Sequence, residues 1–284
     1  MTPLSWQGGS LPDRAAVMGI LNVTPDSFYD GGRHDQLDAA VARAWAMVDE
    51  GADVLDVGGE STRPGAADVG VDAERARTEP VIARLVADGY PLPISIDTTR
   101  AAVAAAALDA GAVIVNDVSG GLREPEILTV TADRGAAIVL MHMRGTPRTM
   151  REHAVYDDVV TEVRDALGAR CAAATGAGIP VAHQCVDPGI GFAKDADGSI
   201  ALLAHLDVLR SLERPVLVGA SRKSFLRTFG QEGDARLWGS LAVAAWSATH
   251  GAAILRVHDV AATRGVLDVT AGLGHALSQP AGTR

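Results

Sequence analysis

Several groups of polar residues stand where short apolar runs of this chain end. Asp97 closes the run PISID, Asn116 lies in AVIVND and Asp187 in QCVDP. Two carboxylates and an amide are rich in acceptors, and they suit a flat heterocycle with an amidine-like N–H edge, which a carboxylate meets bidentately. The same oxygens also suit a divalent cation. Zinc is disfavoured, because His142 and His153 stand eleven apart and no H-E-x-x-H occurs. Arg256 and His258 flank Val257, so on a strand both side chains leave one face. A guanidinium fork beside an imidazole fits a phosphate group, or else an ion pair with Asp259 or another nearby carboxylate. The segment G219-A-S-R-K-S224 lacks the second glycine of a P-loop, which argues against a nucleoside-triphosphate site. Ser221 is placed to cap a helix whose first turn, with Lys223 and Ser224, receives an anion; the same residues also describe an ordinary capped helix with solvated cations.

These residues need a scaffold, and the apolar pattern supplies one. Eight short runs, at 16–22, 53–59, 93–97, 112–117, 136–142, 184–188, 215–220 and 253–258, alternate with helical patterns. Among the helices, Leu37, Val41, Ala44 and Val48 share one face, as do Leu202, Leu203, Leu206 and Leu209, and Leu241, Ala245 and Trp246. Continuous apolar strands between amphipathic helices specify a parallel sheet covered on both sides. An open sheet gathers polar residues at one switch point, whereas here they follow every strand, so the spacing predicts a closed (β/α)8 TIM barrel with its site at the C-terminal mouth. A single domain is expected over 1–284, with its core at about 14–276 and no linker. The loops N22-V-T-P-D-S-F-Y-D-G-G32 and G58-G-E-S-T-R-P-G65 exceed a bare connection and suit mobile covers over the mouth, or ordinary turns at Pro25-Asp26 and Pro64-Gly65. Pro80 is expected to kink or restart the helix over 72–88, and the Gly-, Pro- and Ser-bearing ends, 1–12 and 277–284, are expected to be loosely held.

Composition narrows the ligand. The 284 residues are 48% apolar and carry a formal charge of −10, with no basic stripe for nucleic acid or an anionic membrane. No signal peptide or spanning segment is apparent, so a cytoplasmic protein is expected. Cys171 and Cys185 form no C-x-x-C and read as reduced thiols outside the chemistry.

The motifs M18-G-I-L-N-V-T-P-D-S-F28, D56-V-G-G-E-S-T-R-P-G65, I96-D-T98, N116-D117, M141-H-M-R-G-T-P-R-T-M150, D187-P-G-I-G-F192, S221-R-K-S224 and R256-V-H-D259 occur in order, one per strand end. Together, over residues from about 14 to 270, they resemble the dihydropteroate synthase family. The resemblance implies a pterin pocket of Asp97, Asn116, Asp187 and Lys223 walled by Met141, Phe192 and Gly219. It implies a diphosphate site of Asn22, Thr62, Arg256 and His258, with Asn22 contacting Mg2+, and an aminobenzoate site of Arg63, Pro64, Lys223 and Ser224 closed by Asp26, Ser27 and Phe28. Lys223, Arg256, His258 and Asp97 take the catalytic roles. Tyr29 departs from the usual serine, which bears on loop packing and inhibitor sensitivity. The implied reaction joins 6-hydroxymethyl-7,8-dihydropterin diphosphate to 4-aminobenzoate with loss of diphosphate, sulfonamides competing for the second site. Diphosphate and Mg2+ are expected to order loops 23–33 and 59–70 before aminobenzoate binds. A homodimer is expected, with Leu241 and Trp246 on outer helices as candidate contacts. The rivals are a pterin-dependent methyltransferase domain, which has less use for Lys223, Arg256, His258 and the S-T-R-P loop, and a non-catalytic pterin-binding relative, from which several mouth residues would be missing.

Overall fold

The computed structural model describes residues 3–24, 33–61, 65 and 68–278. A two-stranded hairpin, β1 (Ser5–Trp6) and β2 (Gly9–Ser10), precedes the barrel. Then follow β3 (Ala16–Asn22), α1 (Arg33–Asp49), β4 (Val54–Gly58), α2 (Val71–Ala87), β5 (Ile94–Asp97), α3 (Ala101–Asp109), β6 (Ile114–Asp117) and α4 (Glu126–Asp133). The second half runs β7 (Ala137–Met141), α5 (Val159–Gly176), β8 (Gln184–Asp187), α6 (Ala196–Ala204), β9 (Val216–Val218), α7 (Arg236–Thr249), β10 (Ala252–Val257) and α8 (Val260–Ser278). Strands β3 to β10 are parallel and close on themselves, β10 pairing β3 through Arg256 opposite Met18. The expected barrel is present, each of its eight strands falling on one of the eight apolar runs.

Alternation along the strands explains where the site lies. Val17, Leu21, Leu55, Val57, Ile96, Val115, Leu140, Val186, Val218 and Leu255 point outward into the large core shared with the helices. Their neighbours point inward. The lower interior is apolar, packed by Ala16, Met18, Val54, Ile114, Ala137, Val139, Cys185, Leu217 and Ile254. Higher up, the interior turns polar on five of the strands, at Asp56, Asp97, Asn116, Asp187 and Arg256, so these groups gather toward the C-terminal end.

Three expectations about local structure change. Residues 3–12 are not loose, because Leu4 and Leu11 pack beneath the barrel against Met18 and Ile254, with Gln7 N donating to Gly135 O. Gln7 and Gly8, the latter at φ +96, make the hairpin turn, while the two leucines plug the lower opening. Helix α2 runs unbroken through Pro80, whose ring lies on the exposed side, so the Ala76 carbonyl it leaves unbonded faces water. The buried face of α1 is Ala40, Val41, Ala44 and Met47, Val48 being half-buried, whereas Leu202, Leu203, Leu206 and Leu209 are all buried as the spacing predicts. Along α7 the core contacts are Leu241, Ala244 and Ser247, and Trp246 is exposed. The segment 279–284 lies outside the described residues.

Candidate active site

The central feature of the mouth is one guanidinium held between two carboxylates. Arg256 Nε donates to Asp56 Oδ2 at 2.6 Å and Nη2 donates to Asp97 Oδ2 at 2.6 Å. Asn116 Nδ2 donates to the same Asp56 oxygen at 3.1 Å, so strands β4, β5, β6 and β10 meet in one network. Asp56 is fully buried and Asp97 is 7% exposed, while Arg256 keeps 20% exposure toward the mouth. Of the two readings left open for Arg256, the carboxylate pair is therefore the one adopted by the free protein; Asp259 is held instead by Arg222 at 2.7 Å. One cation shared by two carboxylates leaves the network short of positive charge. Burial accordingly pushes the Asp97 carboxyl up to about 7, against the pull of Arg256 and with the charge of Asp56 adding to the rise. Asp56 Oδ1, also buried, finds no hydrogen-bond partner among the described residues.

Across the mouth, the loop after β8 builds a second wall. Asp187 Oδ1 accepts from Gly189 N at 2.7 Å, and Asp187 O accepts from His142 N at 2.9 Å, which locks the end of β8 to that of β7. Gly189 has φ +68, and a Cβ there would stand 2.1 Å from the His142 carbonyl oxygen, so the D-P-G turn requires glycine. Burial raises the Asp187 carboxyl, and the nearby Lys223 cation is the largest opposing influence. Lys223 Nζ donates to Ile190 O at 2.5 Å and lies 4.5 Å above the Phe192 ring; burial lowers its ammonium to about 8. Met141, Phe192, Val118 and Met143 pack together as an apolar wall. Gly219 adjoins both halves, since a Cβ there would lie 3.9 Å from Asp187 Oδ2 and from Arg256 Cβ. A cavity of about 820 Å3 opens toward the β4–β7 side, lined among others by Asp97, Thr98, Val118, His142 and Arg170. It shares Asp97 with the network rather than covering it.

The anion loop differs from its sequence reading. Ser221 does not cap a helix: residues 224–229 form a short 3-10 turn, and Ser221 Oγ lies 3.1 Å from His258 Nδ1. Arg222, at φ +57, turns the chain before any helix begins, and Ser224 is exposed at the start of the turn. His258 stands at the mouth above β10 beside Ser221. Asn22 ends β3 close to Asp97, since a Cβ on Gly58 would lie 3.6 Å from Asp97 Oδ2 and 3.8 Å from Asn22 Oδ1. The carboxylates do not assemble a cation cage by themselves, because among the described residues no group of three His, Cys, Asp or Glu is placed to hold a metal. Asp26, Ser27, Phe28 and Tyr29 in the first loop, and Thr62, Arg63 and Pro64 in the second, lie outside the described residues. Sequence reasoning missed Asp56 as a site residue. Its signal was an aspartate at an inward position of an aliphatic strand, which demands a buried partner.

This arrangement offers acceptors for an N–H-rich heterocycle and, beside them, cations for an anion. A family model described as "Pterin binding enzyme" matches residues 18–258. The chain belongs to the pterin-binding enzyme family. A dihydropteroate synthase of Synechocystis sp. is 47% identical over 262 residues, covering 92% of this chain and 90% of the relative. A Xanthomonas albilineans dihydropteroate synthase solved with 4-aminobenzoic acid superposes with a TM-score of 0.89 at 46% identity, over 98% of this chain and 99% of that one. A Yersinia pestis dihydropteroate synthase solved as a sulfonamide drug complex gives a TM-score of 0.89 at 41% identity, over 96% and 99% of the two chains. In this chain the Asp97–Arg256–Asp56 network and the Asp187 loop both face the barrel mouth.

Proposed function

We propose that this chain catalyses the dihydropteroate synthase reaction, joining 6-hydroxymethyl-7,8-dihydropterin diphosphate to 4-aminobenzoate with release of diphosphate. The observation that carries the reading is the set of buried acceptors Asp97, Asn116 and Asp187 facing Arg256 and Lys223 at one barrel mouth. The identities to named dihydropteroate synthases over nine-tenths of the chain support it. Asp187 and Asp97 accept from the pterin's N–H edge, while Met141 and Phe192 pack on its face. The C–O bond to diphosphate breaks with its electron pair, the aniline nitrogen supplies the pair for the new C–N bond, and the nitrogen's proton passes to solvent. Arg256 and His258 stabilise the departing charge, and the carboxylates offset cationic character on the pterin methylene. Lys223, above Phe192, closes the pterin wall and faces the aminobenzoate side.

The Asn22 amide oxygen is a hard donor of the kind Mg2+ takes singly beside phosphate oxygens and water, so the residues present fit the ion. When bound there, Mg2+ supplies charge neutralisation for the diphosphate. Sulfonamides are competitors for the aminobenzoate position on this reading. We also propose a cytoplasmic homodimer. No described helix is long and apolar enough to cross a membrane. Trp238 and Trp246 on α7, with Val269, Leu273 and Leu277 on α8, present an exposed apolar face, whereas Leu241 is buried within the chain and does not contribute. A monomeric mass by light scattering contradicts the dimer. Diphosphate release from the pterin diphosphate, measured with and without 4-aminobenzoate, tests the activity. Release that ignores the aminobenzoate overturns the reading.

A further inference from the structure

Lys194, two residues beyond Phe192, is used by no step of the reaction, yet it is one of the most deeply placed cations in the protein at 8% exposure. Its Nζ lies 2.8 Å from Phe192 O, 3.1 Å from Gly189 O, 3.3 Å from His142 O and 3.0 Å from His142 Nδ1. Three carbonyls match the three N–H groups of an ammonium. The imidazole Nδ1 is a fourth acceptor that shares one of these N–H groups with the longer-held His142 carbonyl, because burial and the cations around it lower His142 to about 2 and keep the ring neutral. With the Nδ1 lone pair turned to Lys194, the His142 proton resides on Nε2. Among the described residues no carboxylate bonds to Lys194, so its charge acts over distance, on Asp187.

Four carbonyls of the loop from Asp187 to Lys194 accept from side chains: Gly189 and Phe192 from Lys194, Ile190 from Lys223 at 2.5 Å, and Ala193 from the Tyr156 hydroxyl at 2.8 Å. Ala193 adopts φ +49, a conformation that a non-glycine residue holds only when its surroundings fix it. Lys223 grips this loop from the pocket side and Lys194 from behind. We propose that Lys194 is a positioning residue for pterin recognition, its buried ammonium holding the Asp187–Phe192 loop in place and keeping Asp187 a carboxylate. The inference rests on the proposed function for the identity of the ligand.

The charges are consistent with this role. Asp187 is faced by Lys223, Lys194 and Arg256, all of which favour its ionised form against burial. Burial holds the Lys194 ammonium well below its ordinary value, with Lys223, Arg170 and Arg144 adding to the fall and Asp187 opposing it, so its charge is most complete on the acid side of the range. Removing the Lys194 cation removes one of the three attractions at Asp187, so the proton affinity of Asp187 rises. Binding that needs the carboxylate then fails at a higher pH than in the parent enzyme.

Calorimetric titration of the full-length protein with phosphate-free 6-hydroxymethylpterin, between pH 5 and 9, tests this. K194M is expected to weaken binding at neutral pH by about tenfold, the weight of one charge-assisted hydrogen bond. It is also expected to move the acid limb of the binding profile up by roughly one pH unit. K194Q, which keeps a donor but no charge, should move the limb as far while weakening neutral binding less, and K194R should restore the limb. Thermal melts establish that each variant is folded. An unmoved limb in folded K194M or K194Q overturns the proposal, as a role in packing alone would weaken binding equally at every pH. If the parent protein itself binds no pterin, the failure lies with the proposed function instead.

Discussion

Replacing Arg256 by methionine removes the guanidinium and keeps most of the apolar stem. From the sequence alone, Arg256 serves the leaving diphosphate, and its loss should spare a phosphate-free pterin. The structure implies a wider effect, because Arg256 is also the shared partner of Asp56 and Asp97, with both bonds at 2.6 Å. Breaking a buried pair from one side costs about 3–5 kcal/mol, since the surviving charge stays desolvated. Here two carboxylates survive, and one of them is expected to take up a proton. The Asp97 carboxyl already stands raised to about 7 by burial, and loss of Arg256 raises it further. A carboxyl raised in the folded state binds more protons there than in the unfolded chain, so stability falls as pH rises from the unfolded pKa to the folded one. In the parent enzyme that fall ends near pH 7; in the variant it continues upward. The deficit of R256M should therefore be smallest below pH 7 and grow by about 1.4 kcal/mol per unit above it, the weight of one proton. Urea unfolding of both proteins at pH 6, 7, 8 and 9 measures this. A deficit that is constant over that range, or below about 1 kcal/mol as for an exposed pair, refutes the shared-partner reasoning.

Three further outcomes follow from the same geometry. D187N keeps the oxygen that accepts from Gly189 N but loses the charge, so pterin affinity should drop roughly 10- to 150-fold, about 1.5–3 kcal/mol, with the melting temperature unchanged or higher; unchanged affinity by calorimetry removes Asp187 from the pocket. The C171A/C185A double variant should retain turnover, and alanine replaces the more obvious serine because Cys185 is packed in the apolar lower interior, where a hydroxyl would lack a partner. Loss of turnover in a folded double variant contradicts a thiol-free mechanism. L4A should cost about 2–5 kcal/mol by urea unfolding, since Leu4 is 1% exposed beneath the barrel, and a cost under 1 kcal/mol means that the hairpin is not a plug.

The parts of this structure that can be read from the sequence are those governed by a local period. The eight strands follow from short apolar runs, and closure into a barrel follows from polar residues after every run rather than at one point. Asp97, Asn116 and Asp187 could be assigned to the mouth because each is the last or next-to-last residue of its strand. What the sequence concealed depends on contacts far apart in the chain. Asp56 lies two residues below the end of β4 inside an aliphatic run, and its importance appears only once Arg256, 200 positions later, is found 2.6 Å away. Ser221 is a good capping residue by type, but the left-handed Arg222 and the nearby His258 give its hydroxyl another use. Residues 3–12 look like a loose end by composition, and only the barrel floor reveals what Leu4 and Leu11 are for. Lys194 carries no local pattern that marks it, and only the carbonyls of His142, Gly189 and Phe192 around its ammonium show where it lies.

The vertical division of the barrel interior links stability to recognition. Below Asp56 the interior is apolar and sealed by the hairpin, so the charged groups above it have water on the mouth side only. Asp117, at the end of β6, is satisfied within the protein by Ser119 N at 2.7 Å and Gly121 N at 2.6 Å. Asp97 differs, because it is bound to a guanidinium that Asp56 also claims. On the proposed function, a substrate that joins a pterin to a diphosphate resolves the shortage at both ends. The heterocycle's N–H groups take over Asp97, and the diphosphate offers Arg256 a new anion, so each exchange makes the other less costly. A pterin without phosphates must compete with Arg256 for Asp97 and brings nothing for the guanidinium to turn to. The two halves of the substrate are thus coupled through one side chain, which ties release of diphosphate to the return of Arg256 toward Asp97 and to weakened hold on the pterin product.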